Sequence, residues 1–376
     1  MRTRERVMLR RRRTLLALIA VTTFALAVAV RGGARSVQSA GHRHATTPPT
    51  SISGATRGGF LASGSDPSAL PGPLLIADEG NNRLVEINPS GNVAWEFPRP
   101  GDLAPGQTFR VPDDAFFTAD GNQIVATEED NFVVSVIDVG KHRIVWRYGT
   151  PGTSGSNPEE LANPDDAMML SDGSVLSADI KNCRIVQLRQ NSNTPVRIWG
   201  KPYHCRHLAE PLRFGSPNGA FPLSDGHYLV TEITHDWVSE INLFANPPKV
   251  FWDVQPPKIH YPSDTNEVRP GVFITVDYWH PGAIEEFTKT GQVLWFYKPQ
   301  GPNKLYKPSL AEVLPNGNVI ATDDYNHRVI IIDPKTDKVI WQYGHQGQAG
   351  IRPGYLNTPD GLDLAPPYSL SSRLTH

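Results

Sequence analysis

Hydrophobic and polar residues alternate along the chain in short runs that favour strands over helices. Between residues 74 and 366, apolar runs rich in Val and Ile are separated by polar turns containing Gly, Pro, Asn or Asp. Asp-Gly or Asn-Gly dipeptides begin at positions 120, 172, 225 and 316, and they supply the positive φ of two-residue hairpin turns. The pattern predicts an all-β protein built from consecutive hairpins.

Tryptophan gives the period of a repeat. Six of the eight Trp residues each close a short β-prone run such as "NVAW" or "KVIW", roughly 43 to 53 residues apart: Trp95, Trp146, Trp199, Trp252, Trp295 and Trp341. A carboxylate that ends an apolar run precedes each of them: Asp78, Glu128, Asp179, Glu232, Asp277 and Asp323. Each unit has room for four strands, which is typical of a propeller blade. Six units predict a six-bladed β-propeller.

The ends of the repeat region indicate how the ring closes. Unit one lacks a first strand, because "SDPSALPGP" is too Pro-rich for a central strand. After the last Trp, "PDGL" at 359–362 matches "PDDA" at 112–115 and at 164–167. The C-terminal strand is therefore predicted to complete blade one and to remove the open sheet edges. The predicted propeller spans residues 73–367 and is followed by a tail, 368–376.

The N-terminus has a different composition. Residues 1–35 carry nine Arg and one Glu, and they include an uncharged stretch from Thr14 to Val30. This predicts a signal peptide or a short signal anchor over residues 1–30, and both alternatives stay open. Residues 31–72 are rich in Gly, Ser, Thr, Ala and Pro, which predicts a flexible linker. By the positive-inside rule the propeller is extracytoplasmic, either secreted or anchored to the plasma membrane through the uncleaved segment.

Net charge excludes one class of partner. Residues 36–376 carry 27 basic and 37 acidic side chains. Affinity for nucleic acid comes mainly from basic side chains that contact phosphate. An acidic propeller is therefore not expected to bind nucleic acid, which leaves a protein, a glycan or a small molecule as the partner.

Two sets of motifs resemble known propeller repeats. "ADEGNNRLVEI" and "ADIKNCRIVQL", with Gly-rich loops such as "YGHQGQAGIRPGYLNTPDGL", resemble NHL repeats and their acidic-x-x-Asn-x-Arg turn. "IDPKTDKVIWQYG" resembles PQQ-like propeller repeats, in which such a Trp docks against the next blade. Units four and five, with "VTEITHDWVSEI" and "TVDYWHPGAIEEF", lack the Asn-x-Arg. The resemblance implies the architecture only, because these folds host many unrelated activities.

The residues just before the first strand of each blade are the candidate lining of the channel mouth. They mix basic, aromatic and amide groups: Arg110, Asn163, His260, Tyr261, Tyr306 and Lys307. Such a lining suits a small anion or a sugar. The alternative is a rim of loop residues that satisfy one another.

A metal site is a second candidate. His235, His280 and His327 fall in the turns between the second and third strands of blades four to six. An NHL-type amidating lyase uses His ligands around zinc, so the resemblance implies a zinc site. The alternative is solvated or hydrogen-bonded turn histidines. The six repeated carboxylates could likewise attract a cation such as calcium, or accept hydrogen bonds from backbone amides. No cofactor is predicted outright, and zinc and calcium are the candidate ions.

Cys183 and Cys205 are the only cysteines of the chain. In an oxidising compartment two such residues on one face of the propeller are predicted to form a disulfide. The alternative is a metal cluster that Cys205 forms with His204 and His207.

Two classes of function remain. The leading hypothesis is a non-catalytic binding platform for a protein, glycan or small ligand. The alternative is an enzyme with its site in the channel, a metal-assisted lyase or hydrolase. "LPNGNVIAT" and "DPKTDKVIW" are also similar to bacterial arylsulfotransferases, and that resemblance implies a catalytic His at the start of an innermost strand. None of the six strand starts carries His, which argues against sulfuryl transfer.

Overall fold

The computed structural model describes residues 59–373, and they form six antiparallel sheets of four strands each, arranged in a ring. The strands of blades 1 to 3, in chain order, are β1 (Leu74–Asp78), β2 (Arg83–Ile87), β3 (Val93–Phe97), β4 (Pro112–Phe117), β5 (Gln123–Glu128), β6 (Val133–Asp138), β7 (Arg143–Tyr148), β8 (Pro164–Met169), β9 (Val175–Asp179), β10 (Arg184–Leu188) and β11 (Arg197–Gly200). Those of blades 4 to 6 are β12 (Pro217–Pro222), β13 (Tyr228–Glu232), β14 (Trp237–Asn242), β15 (Lys249–Val254), β16 (Pro262–Arg269), β17 (Val272–Asp277), β18 (Ala283–Thr288), β19 (Val293–Tyr297), β20 (Ala311–Val313), β21 (Val319–Asp323), β22 (Arg328–Asp333) and β23 (Lys338–Gly344).

Strand β24 (Pro359–Leu364) closes the ring. It pairs antiparallel with β1, with Leu74 opposite Leu364 and Ile76 opposite Leu362, so blade 1 has the order β24-β1-β2-β3. Each of the other blades takes four consecutive strands. The predicted six-bladed propeller and its closure by the C-terminal strand are confirmed.

Within residues 59–373, helical structure is limited to short pieces. The 3-10 turns span Pro67–Ala69, Glu79–Asn81, Glu129–Asn131, Ile180–Asn182, Gly301–Asn303 and Asp324–Asn326, and α1 spans Leu370–Arg373. Four of the 3-10 turns connect the second and third strands of blades 1, 2, 3 and 6. Among residues 59–373, no helix has the length and apolarity that a membrane crossing requires.

The repeated tryptophans join neighbouring blades. The Nε1–H group of Trp95 donates to Val139 O at 3.1 Å, and that of Trp199 donates to Leu243 O at 2.7 Å. The fully buried Trp341 of blade 6 donates to Pro89 O of blade 1 at 3.1 Å. These three rings therefore pack on the following blade and satisfy their polar atom there, whereas Trp252 donates to Glu240 of its own blade.

The segment just before β1 packs on blade 6. Leu61 forms a β-bridge with Tyr343, Ala62 N donates to Gln342 O at 3.0 Å, and Leu70 is buried. The composition of residues 31–72 predicts a flexible linker, whereas residues 60–70 cover the otherwise unpaired edge of the outer strand β23. The predicted signal segment and the remaining linker, residues 1–58, lie outside the described residues.

The two cysteines and the tail add further contacts. Cys183 and Cys205 form a disulfide with a Cα–Cα distance of 5.1 Å, which confirms the predicted pairing. Such a bond is typical of proteins outside the cytoplasm. In the tail, Leu370 is buried and its backbone N–H donates to Asp363 Oδ1 at 2.9 Å.

Candidate functional site

The six repeated carboxylates at the ends of the second strands are architectural. All six are buried, and each accepts a hydrogen bond from a backbone N–H in the loop that enters the innermost strand of its own blade. The distances are 2.7 Å for Asp78 and Asn357 N, 2.7 Å for Asp179 and Ala162 N, and 2.7 Å for Asp323 and Tyr306 N. Of the two alternatives for these residues, hydrogen bonding to the backbone is the one that the geometry supports.

A second set of carboxylates converges on the axis from the innermost strands. Five of the six innermost strands begin at a Pro. The register shifts between Pro112 and Ala115 and between Pro164 and Ala167. In a regular strand consecutive side chains point to opposite faces, but a bulge re-aims one of them. Both aspartates of "PDDA" in blades 2 and 3 therefore approach the axis, as does the second polar residue of "PSDT" in blade 5.

Two groups of carboxyl oxygens result. One oxygen each from Asp114, Asp166 and Asp264 lies within 4.8 Å of the others, and the same holds for Asp113, Asp114 and Asp165. These residues come from blades 2, 3 and 5. Blades 2 and 5 face each other across a six-membered ring, so the first group spans the axis.

The axial carboxylates hold a proton more readily than ordinary aspartates when no cation neutralises them. Burial, followed by the charges of neighbouring carboxylates, raises the pKa of Asp114 and Asp166 well above the usual Asp range. Burial likewise raises the pKa of Asp264 to about 7. Asp360 and Asp324 extend the cluster, because Ser309 Oγ bonds to both carboxylates.

The mouth of the channel has an aromatic side. Lys307 Nζ stands 4.7 Å from the ring centroid of Tyr278 and 4.8 Å from that of Tyr325. Tyr306 stacks on Tyr325 at 5.2 Å, and Trp279, which is 57 % exposed, follows Tyr278 in the same turn. These rings belong to blades 5 and 6 and to the loop between them.

The adjoining side of the mouth is acidic and comes from the 3-10 turns of blades 1 and 2, and blade 1 lies next to blade 6 in the ring. Burial and the charges of Asp360, Glu129 and Asp130 raise the pKa of Glu79 to about 8. Burial and Asp130 raise the pKa of Glu129 to about 7. Asn163 Nδ2 donates to Glu129 Oε1 and Asp130 Oδ1, both at 2.9 Å.

The predicted mouth residues occupy different environments. Asn163, Tyr306 and Lys307 belong to the two sides just described, and Tyr261 adds a ring 5.6 Å from Tyr278. Arg110 has an exposed side chain, and its backbone N–H donates to Glu128 Oε2 at 2.9 Å. The His260 side chain is exposed, and its backbone N–H donates to Asp277 Oδ1 at 3.1 Å.

The three candidate zinc ligands are not brought together. His280 packs against Tyr306 at 4.2 Å, and His327 Nδ1 accepts from Thr358 N at 3.1 Å. Within residues 59–373, neither of these residues nor His235 belongs to a group of three potential ligands within 4.8 Å. His207 belongs to the alternative cluster with Cys205. Its two ring nitrogens form hydrogen bonds with the carboxylates of Glu232 and Asp253, at 3.1 Å each.

Sequence reasoning missed the axial aspartates. The strand starts "PDDA", "PDDA" and "PSDT" lack histidine, and their carboxylates are not among the site residues predicted from the sequence. The available signal was the recurrence of Asp directly after the strand-leading Pro. Alternation alone would have directed only one residue of each pair to the axis.

Comparison with known proteins supports the fold and nothing narrower. No family model and no curated protein sequence matches the chain. A crystal structure of a protein of unknown function from Bacteroides caccae is similar over 78 % of this chain and 98 % of that one, with 16 % identity and a TM-score of 0.53. A streptogramin B lyase structure is similar over 77 % and 87 %, with 17 % identity and a TM-score of 0.49. The NHL and PQQ-like resemblance stays a prediction.

Proposed function

We propose that this protein is an extracytoplasmic binding platform that takes a neutral, polyhydroxylated ligand such as a glycan at the mouth of its channel. The observation that carries the proposal is the pairing of exposed aromatic rings on one side of the mouth with a cluster of carboxyl and amide groups on the other. Rings offer flat apolar faces for stacking, and the polar groups fix orientation. The disulfide and the N-terminal sequence support export.

The charges at the mouth argue against an ionic ligand. A cationic group would compete with Lys307, which already stands over the rings of Tyr278 and Tyr325. An anionic group would meet Glu79, Glu129 and Asp130, and the charges of Glu129 and Asp130 already raise the pKa of Glu79 by repulsion. A neutral ligand avoids both conflicts.

Hydroxyl groups fit the protonation state of the mouth. With pKa values of about 8 and about 7, Glu79 and Glu129 exchange between carboxyl and carboxylate near neutral pH. A carboxyl donates one hydrogen bond and still accepts others, whereas a carboxylate only accepts. A sugar hydroxyl is both donor and acceptor, so it can pair with either form.

The test is binding of the full-length protein to an array of neutral, amino and acidic oligosaccharides, followed by titration calorimetry with the best binder. Trp279→Ala should weaken affinity by about tenfold or more, because exposed aromatic anchors dominate many interfaces. Phe251→Ala is the matched control, since Phe251 is 42 % exposed on the outer strand β15, away from the mouth. Binding confined to amines or carboxylates, or equal loss in both variants, would reject the proposal.

A further inference from the structure

We propose that Asp114, Asp166 and Asp264 hold a hard divalent cation, calcium, on the axis of the propeller. The site goes beyond the proposed glycan binding and rests on different residues, those at the start of the innermost strands β4, β8 and β16. The two proposals can therefore fail separately.

The geometry brings ligand atoms to one point from three directions. Because oxygens of blades 2, 3 and 5 lie within 4.8 Å of one another, a cation between them would reach all three carboxylates with small side-chain movements. Calcium takes oxygen ligands at about 2.3 to 2.6 Å. Asp113 and Asp165 share a second such group with Asp114, so further carboxyl oxygens stand next to the first group.

The hydrogen bonding of these carboxylates is incomplete in a way that points to a cation. Asp114 is 1 % exposed and Asp166 is 2 % exposed, yet within the described part of the chain their four side-chain oxygens have no hydrogen-bond donor apart from contacts with the neighbouring carboxyls of Asp165 and Asp264. Besides the Asp166 carboxyl, Asp264 has the Asn218 amide, 3.5 Å from its Oδ1. Buried carboxylates without donors are costly unless they are paired or coordinate a metal.

The backbone opposite these carboxylates is shaped to leave them room. A Cβ added to Gly219, in blade 4, would lie 2.3 Å from Asp166 Oδ2, and one added to Gly361, in blade 1, would lie 2.3 Å from Asp114 Oδ1. Neither glycine has a positive φ, so backbone conformation does not require glycine at either position. The close approach of the carboxylates is what requires glycine at both positions.

The ligand chemistry selects the class of ion. All candidate ligands are carboxyl oxygens, which suit calcium and magnesium, whereas zinc in proteins is bound mostly by Cys and His. Magnesium demands a near-ideal octahedron and keeps several waters, while calcium accepts irregular sets of six to eight oxygens. A crowded, dry group of carboxylates therefore favours calcium.

The experiment measures calcium binding by the full-length protein after treatment with a chelator. Titration calorimetry with calcium chloride should show a saturable site, and thermal unfolding should shift upward by about 4 °C at a calcium concentration about 100 times Kd. Magnesium should give a smaller shift, and zinc should not reproduce the calcium shift. Absence of both heat and shift with calcium, or a larger shift with zinc, would overturn the proposal.

Substitutions distinguish a cation site from a group of carboxyls that share protons with one another. Asp114→Asn keeps the shape and removes one charge, so the chelated variant should melt at or above the temperature of the chelated wild type, while its calcium affinity falls by at least about tenfold. Gly219→Ala should also weaken calcium binding, because the added methyl group would displace the Asp166 carboxylate. Asp225→Asn is the control, because Asp225 belongs to an exposed group with His227 and Glu240 that surface binding would use. Unchanged calcium affinity in both axial variants, or loss only in Asp225→Asn, would contradict the assignment.

Discussion

Blades 3 and 5 bury the same carboxylate but surround it with different groups. In blade 3, Asp179 accepts from Asn182 Nδ2 at 2.8 Å and pairs with Arg184 Nε at 2.7 Å. In blade 5, Asp277 accepts from the backbone N–H groups of His260 and Tyr261 at 3.1 Å each, and its Oδ2 has no partner in the described residues. Both carboxylates accept a hydrogen bond from the backbone of the loop that enters the innermost strand, so anchoring this loop is their shared role. The ion pair with Arg184 is an additional feature of blade 3.

The other four blades keep the buried carboxylate and differ in its partners. Blades 1 and 6 repeat the Asp-Asn-Arg arrangement of blade 3, with Arg83 and Arg328 in place of Arg184. Blade 2 keeps the Asn but takes its cation, Arg147, from the outer strand β7 at 2.6 Å from Glu128. Blade 4 uses an imidazole, His207, at 3.1 Å from Glu232. The acidic position thus persists while its partner changes.

The largest effect is expected from breaking the pair in blade 3. Arg184→Ala leaves Asp179 buried without its cation, and losing one member of a buried pair costs about 3 to 5 kcal/mol of unfolding free energy. Denaturant unfolding measures it. Arg189→Ala is the control, because the Arg189–Asp172 pair at 2.9 Å has both side chains about half exposed and should contribute less than about 1 kcal/mol. Equal losses in the two variants would remove the distinction between buried and exposed pairs.

The disulfide should have the next largest effect. Cys183 directly precedes Arg184, and Cys205 lies in the loop that carries His207, so the bond connects the turn of blade 3 to the loop entering blade 4. Opening a loop with a sequence separation of 22 residues should cost about 3 kcal/mol. Unfolding with and without reductant measures this, and thiol titration of the denatured, unreduced protein should detect no free thiol. Two free thiols would exclude the bond in solution.

Blade 4 should make stability depend on pH where blade 3 does not. Burial opposes protonation of His207, but hydrogen bonds to Glu232 and Asp253 outweigh it and raise the pKa above its ordinary value of 6.5. The stabilisation is therefore complete below about pH 6.5 and is lost as pH rises through the higher folded-state pKa. A hydrogen bond to a charged group contributes about 1.5 to 3 kcal/mol, and the one to the exposed Asp253 contributes less because solvent screens it.

The measurement is the difference in unfolding free energy between wild type and His207→Gln across this pH range. The difference should shrink as pH rises, whereas the difference between wild type and Arg184→Ala should stay constant, since a guanidinium remains charged. A difference for His207→Gln that does not vary with pH would contradict the assigned role.

The sequence predicted the ring because the blade repeat is local. The Trp, the turn dipeptide and the acidic residue of each blade all lie within one repeat of about 50 residues. The match of "PDGL" to "PDDA" identified the closing strand. The axial site is not local, since Asp114, Asp166 and Asp264 meet only after closure and only because bulges re-aim them. The sequence did not predict the partner of Glu232 either, because His207 comes from a loop with no repeat signature.

The smallest effect is expected in blade 5. Asp277→Asn keeps an oxygen that can accept from the N–H groups of His260 and Tyr261. It removes a charge that forms no direct ion pair among the described residues and feels Lys298 only through a longer-range attraction. Burial already raises the pKa of Asp277, so the neutral side chain relieves a desolvation penalty. Unfolding free energy at neutral pH should change by less than about 0.5 kcal/mol, in either direction, as for substitutions that break no specific pair. Asp179→Asn is the matched variant in blade 3, where the same exchange leaves Arg184 buried without its counter-charge and should cost several times more. Equal costs for the two variants would mean that the anchored backbone, and not the cation, determines how much each carboxylate contributes.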